Sequence, residues 1–83
     1  MSKWNSFVFV KTQKSWTDTD SVKSWPGVDT IWSTTGEWDW CVKLDEAHSN
    51  PEQTEEFAAK LRDSDWVSDT QSSFWKTVAS NEA

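Results

Sequence analysis

Residues 28–44, VDTIWSTTGEWDWCVKL, decide how the chain is read. The second half of the stretch alternates: Trp38, Trp40, Val42 and Leu44 fall on one side, Asp39, Cys41 and Lys43 on the other. Successive side chains of an extended chain point to opposite faces, so this period of two predicts a strand over 38–44. A second strand is expected over 28–34. Gly36, one of two glycines, marks the reversal between them, because a turn that needs positive φ is made most easily by glycine. The stretch is a hairpin. Its turn type stays open, since Thr-Thr-Gly-Glu is a weaker signal than Asn-Gly.

Working outward, residues 4–11 read as the first strand. Phe7, Val8, Phe9 and Val10 form an unbroken apolar run, as expected of a strand covered on both faces, and this places it centrally. Between 16 and 25 a short helix is expected. Thr17 or Asp18 would cap it, Asp20 would sit in its first turn, and Val22 and Trp25 would share a face. Pro26 stops it near Ser24, and Pro26-Gly27 leads into the hairpin. After the hairpin, DEAHSN reads as a polar loop. Asn50, Pro51 and Gln53 then form a helix start: a capping side chain, a proline suited to the first turn, and a residue able to complete a capping box. Thr54, Phe57, Ala58 and Leu61 give that helix one packing face, and Glu56 is expected to pair with Lys60. Residues 66–78 supply the last strand.

The order is strand, helix, strand, strand, helix, strand. It predicts an α+β, ferredoxin-like βαββαβ fold, an antiparallel four-stranded sheet with helices on one face. In the usual order of such a sheet the fourth strand lies beside the first, then the third, then the second. The other face carries aromatic residues that nothing in the chain is expected to cover, which is the physical reason to expect a partner subunit.

Bulk composition sets further bounds. Eighty-three residues make one domain, spanning 1–83 with its core at about 4–78. A chain this short buries only about 60% of its unfolded surface, and oligomerisation is a common remedy. Eight Trp and four Phe are many for so small a core, so some indoles are expected in an interface or pocket. Fourteen acidic residues against eight basic ones give a net charge of −6. The basic residues are scattered, which argues against direct contact with nucleic acid. Cys41 is the sole cysteine and excludes an intrachain disulfide. No apolar run approaches the ~20 residues of a membrane span, and no signal peptide is evident. A cytoplasmic, reducing setting is expected.

At this point the chain resembles the ligand-binding domain of the Lrp/AsnC regulators, also called the regulation of amino-acid metabolism domain, over residues 7–74. Three pieces carry the likeness: Pro26-Gly27-Val28; Thr35-Gly36-Glu37-Trp38-Asp39; and Val67-Ser68-Asp69-Thr70-Gln71-Ser72. The helix-turn-helix domain of full-length regulators is not seen here, so the resemblance is to the stand-alone form. It implies sheet-to-sheet homodimers of the dimeric α+β barrel type, assembly of dimers into higher rings, and a small amino-acid effector bound between dimers. It also implies possible co-assembly with a full-length regulator. By motif, the implied ligand contacts are Gly36, Asp39, Thr70 and Ser72.

These residue types suit a zwitterion. Asp39 can accept charge-assisted hydrogen bonds from an ammonium. Backbone N–H groups near Gly36 can approach a carboxylate closely. The hydroxyls of Thr70 and Ser72, two apart, share a strand face. Trp32 and Trp38 flank the turn and are the tryptophans best placed to line a pocket. Each residue has a plainer role as well: Asp39 as a carboxylate bonded to the hairpin backbone, Gly36 as turn geometry, Thr70 and Ser72 as ordinary strand residues. His48 lacks an evident partner to orient it and is read as inert. Asp18-Thr19-Asp20 lacks the glycine and closing glutamate of a calcium loop. No catalytic set, metal ligands or cofactor motif is expected. The function expected is therefore a non-enzymatic sensing and oligomerisation module of transcription-regulator type. The rivals are a small enzyme of the dimeric α+β barrel superfamily and a purely structural interaction domain.

Overall fold

A computed structural model describes residues 4–13 and 19–79. The helix caps expected at Thr17 or Asp18 lie outside these residues. Strand β1 (Trp4–Thr12) is followed by α1 (Thr19–Lys23), β2 (Val28–Ser33), β3 (Trp40–Leu44), a 3-10 turn (Glu46–His48), α2 (Pro51–Arg62) and β4 (Val67–Lys76). The sheet order is β2-β3-β1-β4, with every neighbouring pair antiparallel. The chain therefore has the α+β, βαββαβ architecture that the element order predicts, with β1 in the interior of the sheet.

Register assigns the side chains to faces. Val8 lies opposite Val42 and Ser72, and Val10 opposite Trp40 and Thr70. These point toward the helices. Val8, Val10, Val42 and Leu44 join Val22, Phe57, Ala58, Leu61 and Val67 in one core. Each large aliphatic group buried there contributes about 1.5–3 kcal/mol.

Helix α2 forms for the reasons its sequence suggests. The Asn50 side chain accepts a hydrogen bond from the Gln53 N–H at 2.8 Å, and Pro51 opens the first turn. Thr54, Phe57, Ala58 and Leu61 are its buried residues. Thr54 is polar but satisfied: its hydroxyl lies 2.9 Å from Ser6 Oγ and 3.3 Å from the His48 carbonyl. This contact ties the start of α2 to β1. The expected Glu56–Lys60 pair is absent. The Lys60 ammonium sits 4.3 Å above the Trp25 ring, which itself meets Phe57 edge-on at 5.7 Å, and a cation over an indole gains about as much as an exposed ion pair. Arg62 pairs instead with Glu55, at 2.7 Å.

The hairpin departs from its expected form. β3 begins at Trp40, and Trp38 does not share its face. Trp40 packs against the core, whereas the Trp38 ring lies 6.3 Å from Phe9, on the side away from the helices. The cause is the connection over 34–39. The Thr34 N–H donates to the Asp39 carbonyl at 3.0 Å, and its hydroxyl donates to the Trp38 carbonyl. Those bonds bend the chain before the strand begins, so the period of two does not extend back through Asp39. Residues 46–48, expected as plain loop, form the 3-10 turn, capped by the Asp45 side chain at the His48 N–H.

The sheet face away from the helices is a layer of rings. Phe7 meets Trp75 in a tilted contact at 4.0 Å and stacks with Trp32 at 6.1 Å, and Phe9 meets Trp75 and Trp38, each at 6.3 Å. Phe7 is thereby buried to 8% exposure although no helix lies over it among the described residues. The expectation that nothing in the chain covers this face is corrected in part, because the rings shield one another. Trp32 and Trp75 remain 44% and 49% exposed.

Candidate ligand-binding site

Asp39 sits at the end of the hairpin loop, and its carboxylate reaches across to β1. Oδ2 accepts from the Thr12 N–H at 2.9 Å and from the Thr12 hydroxyl at 3.1 Å, while the Asp39 N–H donates to the Val10 carbonyl at 2.9 Å. The carboxyl therefore pins the end of the central strand to the hairpin. The Thr12 N–H, then its hydroxyl, hold the Asp39 pKa below its ordinary value, with Lys11 adding a smaller effect against a modest desolvation cost. The group is ionised at neutral pH, and Oδ1 takes no hydrogen bond from the described residues.

Gly36 has φ of 94°, and a Cβ placed on it would meet nothing within 4 Å. It serves the turn and leaves its backbone open to approach. Trp38 is half-buried on Phe9, and Trp32 stands exposed on the open face. Gly36, Trp38 and Asp39 are thus brought together in one loop with Trp32 beside it.

Thr70 and Ser72 are not brought into that group. They lie on β4, with β1 between them and the hairpin, and they face the helix layer. The Thr70 hydroxyl accepts from Arg62 Nη1 at 2.9 Å. Ser72 is half-buried opposite Val8. Grooves of about 180, 270 and 460 Å³ lie on this chain, and none of the six residues lines them.

One residue read as inert has a partner. His48 Nδ1 lies 2.7 Å from Asp45 Oδ1, and the His48 N–H donates to the same oxygen at 3.0 Å. The ring bond from His48 is the chief cause of the lowered Asp45 pKa. An ionised carboxylate only accepts, so His48 donates from Nδ1 and its other ring nitrogen remains to bond elsewhere. The ring also packs on Gly27, where φ is 94° and an added Cβ would lie 2.7 Å from His48 Cγ. The signal was the spacing Asp45-x-x-His48, a capping residue followed by the turn's last residue. His48 further lines the groove of about 180 Å³ between the α1–β2 connection and α2. Among the described residues no group of three or more His, Cys, Asp or Glu side chains is placed to hold a metal ion, and no helix is long and apolar enough to cross a membrane.

No family model matches the chain, and no curated protein matches it in sequence. Solved structures do match. A transcriptional regulator from Neisseria meningitidis, solved as its L-Met complex, superposes with a TM-score of 0.73 at 24% identity, over 94% of this chain and 53% of that one. A hypothetical protein from Pyrococcus horikoshii gives 0.63 at 17% identity, over 95% of this chain and 94% of that one. An AsnC family transcriptional regulator from Agrobacterium tumefaciens gives 0.61 at 18% identity, over 99% of this chain and 54% of that one. The chain thus spans about half the length of the two regulators and nearly all of the Pyrococcus protein. Strand order, the helices over the sheet and these likenesses agree that the chain has the ferredoxin-like α+β fold found in Lrp/AsnC-type regulators.

Proposed function

We propose that this chain is the effector-sensing and assembly domain of an Lrp/AsnC-type regulator, working as a non-enzymatic cytoplasmic module. The observation that carries the reading is the open aromatic face. Trp32, Trp38 and Trp75 shield Phe7 and Phe9 yet leave wide ring surfaces wet, and a second sheet laid on them would remove that area from water. The fold likeness supports the same reading, as does the Neisseria regulator's capture with L-Met. In this reading homodimers form through the sheets and associate further into rings. An amino acid then binds where the Gly36–Asp39 loop of one dimer meets another, with Thr70 and Ser72 supplied across the assembly. Such an arrangement accounts for six candidate residues that line none of those grooves on one chain. Effector binding would shift the oligomeric equilibrium toward whichever assembly completes the site, and a full-length regulator is the natural co-assembling partner.

Native mass spectrometry with and without a pool of the common amino acids tests the proposal. The expected result is dimers and rings of dimers, with one amino-acid mass added per site or a change of ring size on adding the pool. Asp39→Asn should weaken that binding. A monomer indifferent to every amino acid would overturn the reading.

A further inference from the structure

We infer that the groove between the α1–β2 connection and α2 is a second place where a free amino acid with an apolar side chain binds, within one chain. The inference rests on the amino-acid-sensing reading above, and it places a ligand far from the hairpin loop. The groove measures about 180 Å³, below the roughly 300 Å³ at which drug-sized pockets begin, and so suits a small metabolite. Its floor is apolar: Trp25, Leu44 and Phe57 line it, the last two almost fully buried.

The polar groups around that floor are split by charge. Glu56 and Lys60 both line the groove from adjacent turns of α2, and they do not pair with each other. Lys60 is exposed on α2, and its ammonium lies over the Trp25 ring at 4.3 Å, at the edge of the apolar wall. Gln53, from the first turn of α2, adds an amide. His48 completes the set. Its ring is fixed by the 2.7 Å contact to Asp45 and by packing on Gly27, and it forms one wall of the groove. A ligand with an ammonium, a carboxylate and an apolar side chain matches every element. Glu56 accepts from the ammonium, Lys60 and Gln53 donate to the carboxylate, and the side chain lies on Trp25 and Phe57. A purely anionic ligand would leave Glu56 opposed, and a purely cationic one would leave Lys60 opposed.

Isothermal titration of the full chain with L-leucine, L-methionine and L-leucinamide tests this, with Lys60→Met, Glu56→Gln and Asp39→Asn as variants. Glu56 and Lys60 are exposed on α2, so their replacement leaves the fold intact, and circular dichroism checks it. Lys60→Met and Glu56→Gln should each weaken L-leucine binding about tenfold, the scale of one charge-assisted contact. Leucinamide, which lacks the carboxylate, should bind the wild type about tenfold more weakly than leucine but bind Lys60→Met no more weakly than leucine does. Binding of leucine and methionine that both α2 variants leave unchanged, while Asp39→Asn weakens it, overturns the groove and keeps the sensing function. Absence of binding by every amino acid overturns both.

Discussion

The two faces of this sheet are built from the same strands on opposite terms. Toward the helices, Val8, Val10, Val42 and Leu44 are at most 2% exposed. These small branched groups interdigitate with a second layer, Phe57, Ala58 and Leu61, and depend on it wholly. Away from the helices, Phe7 and Phe9 lie among Trp32, Trp38 and Trp75. Large rings can shade one another within a single layer, as valines cannot. The first face is complete in one chain. The second is half-complete, and its outer half is available for association.

The comparison can be broken first at Leu61. It is 0% exposed, and Leu61→Ala should cost about 2–5 kcal/mol, a large share of the roughly 5–15 kcal/mol that holds a domain together. A thermal melt that barely moves would show that the helix-side core is not what stabilises the chain. At the rim of that side, Gly27 and Gly36 share the same φ of 94° but differ in surroundings. Gly27→Ala should cost about 2–3 kcal/mol, combining left-handed strain with the His48 clash, and Gly36→Ala about 1 kcal/mol from strain alone. Equal denaturation midpoints for the two would remove the His48 contact from the account. On the open face, Trp75→Ala should cost the fold about 2 kcal/mol, the scale of its two ring contacts with Phe7 and Phe9, while weakening self-association tenfold or more. Sedimentation velocity separates the two effects, and unaltered association would make this face a monomer surface.

The smallest effect is at the hairpin. Asp39 has a carboxyl depressed from its ordinary 3.8 by the Thr12 bonds. A depressed carboxyl contributes stability that is full above the unfolded value and lost as pH falls through the folded one. Asp39→Asn should therefore melt below wild type at pH 7, with the gap closing as pH falls below the ordinary carboxylate value and through the lowered folded one. A gap constant with pH would mean that charge at Asp39 is not what holds β1 to the loop.

What the sequence reveals follows from how local each signal is. Helix α2 is legible because cap, proline and apolar stripe all lie within twelve residues and agree. The central place of β1 is legible because an unbroken apolar run has few other homes. Trp38 is misread because alternation was extended across a bend set by Thr34 and Asp39, whose hydrogen bonds leave no periodic trace. Thr70 and Ser72 do share a face, but which face depends on pairing with Val10 and Val8, about sixty residues away in the chain. The orientation of His48 needs Gly27, twenty-one positions earlier and in a different element.

The register of β1 with β4 carries one more consequence. Trp4 pairs with Lys76 and Val10 with Thr70, so β1 waits for a strand about sixty residues further along before this side of the sheet can close. Until then Phe7 to Val10 presents a bare, strongly β-forming edge to whatever is near. Contacts this remote in sequence place the chain toward the slower end of small-domain folding, and that edge stays open to other strands for as long as β4 is unpaired.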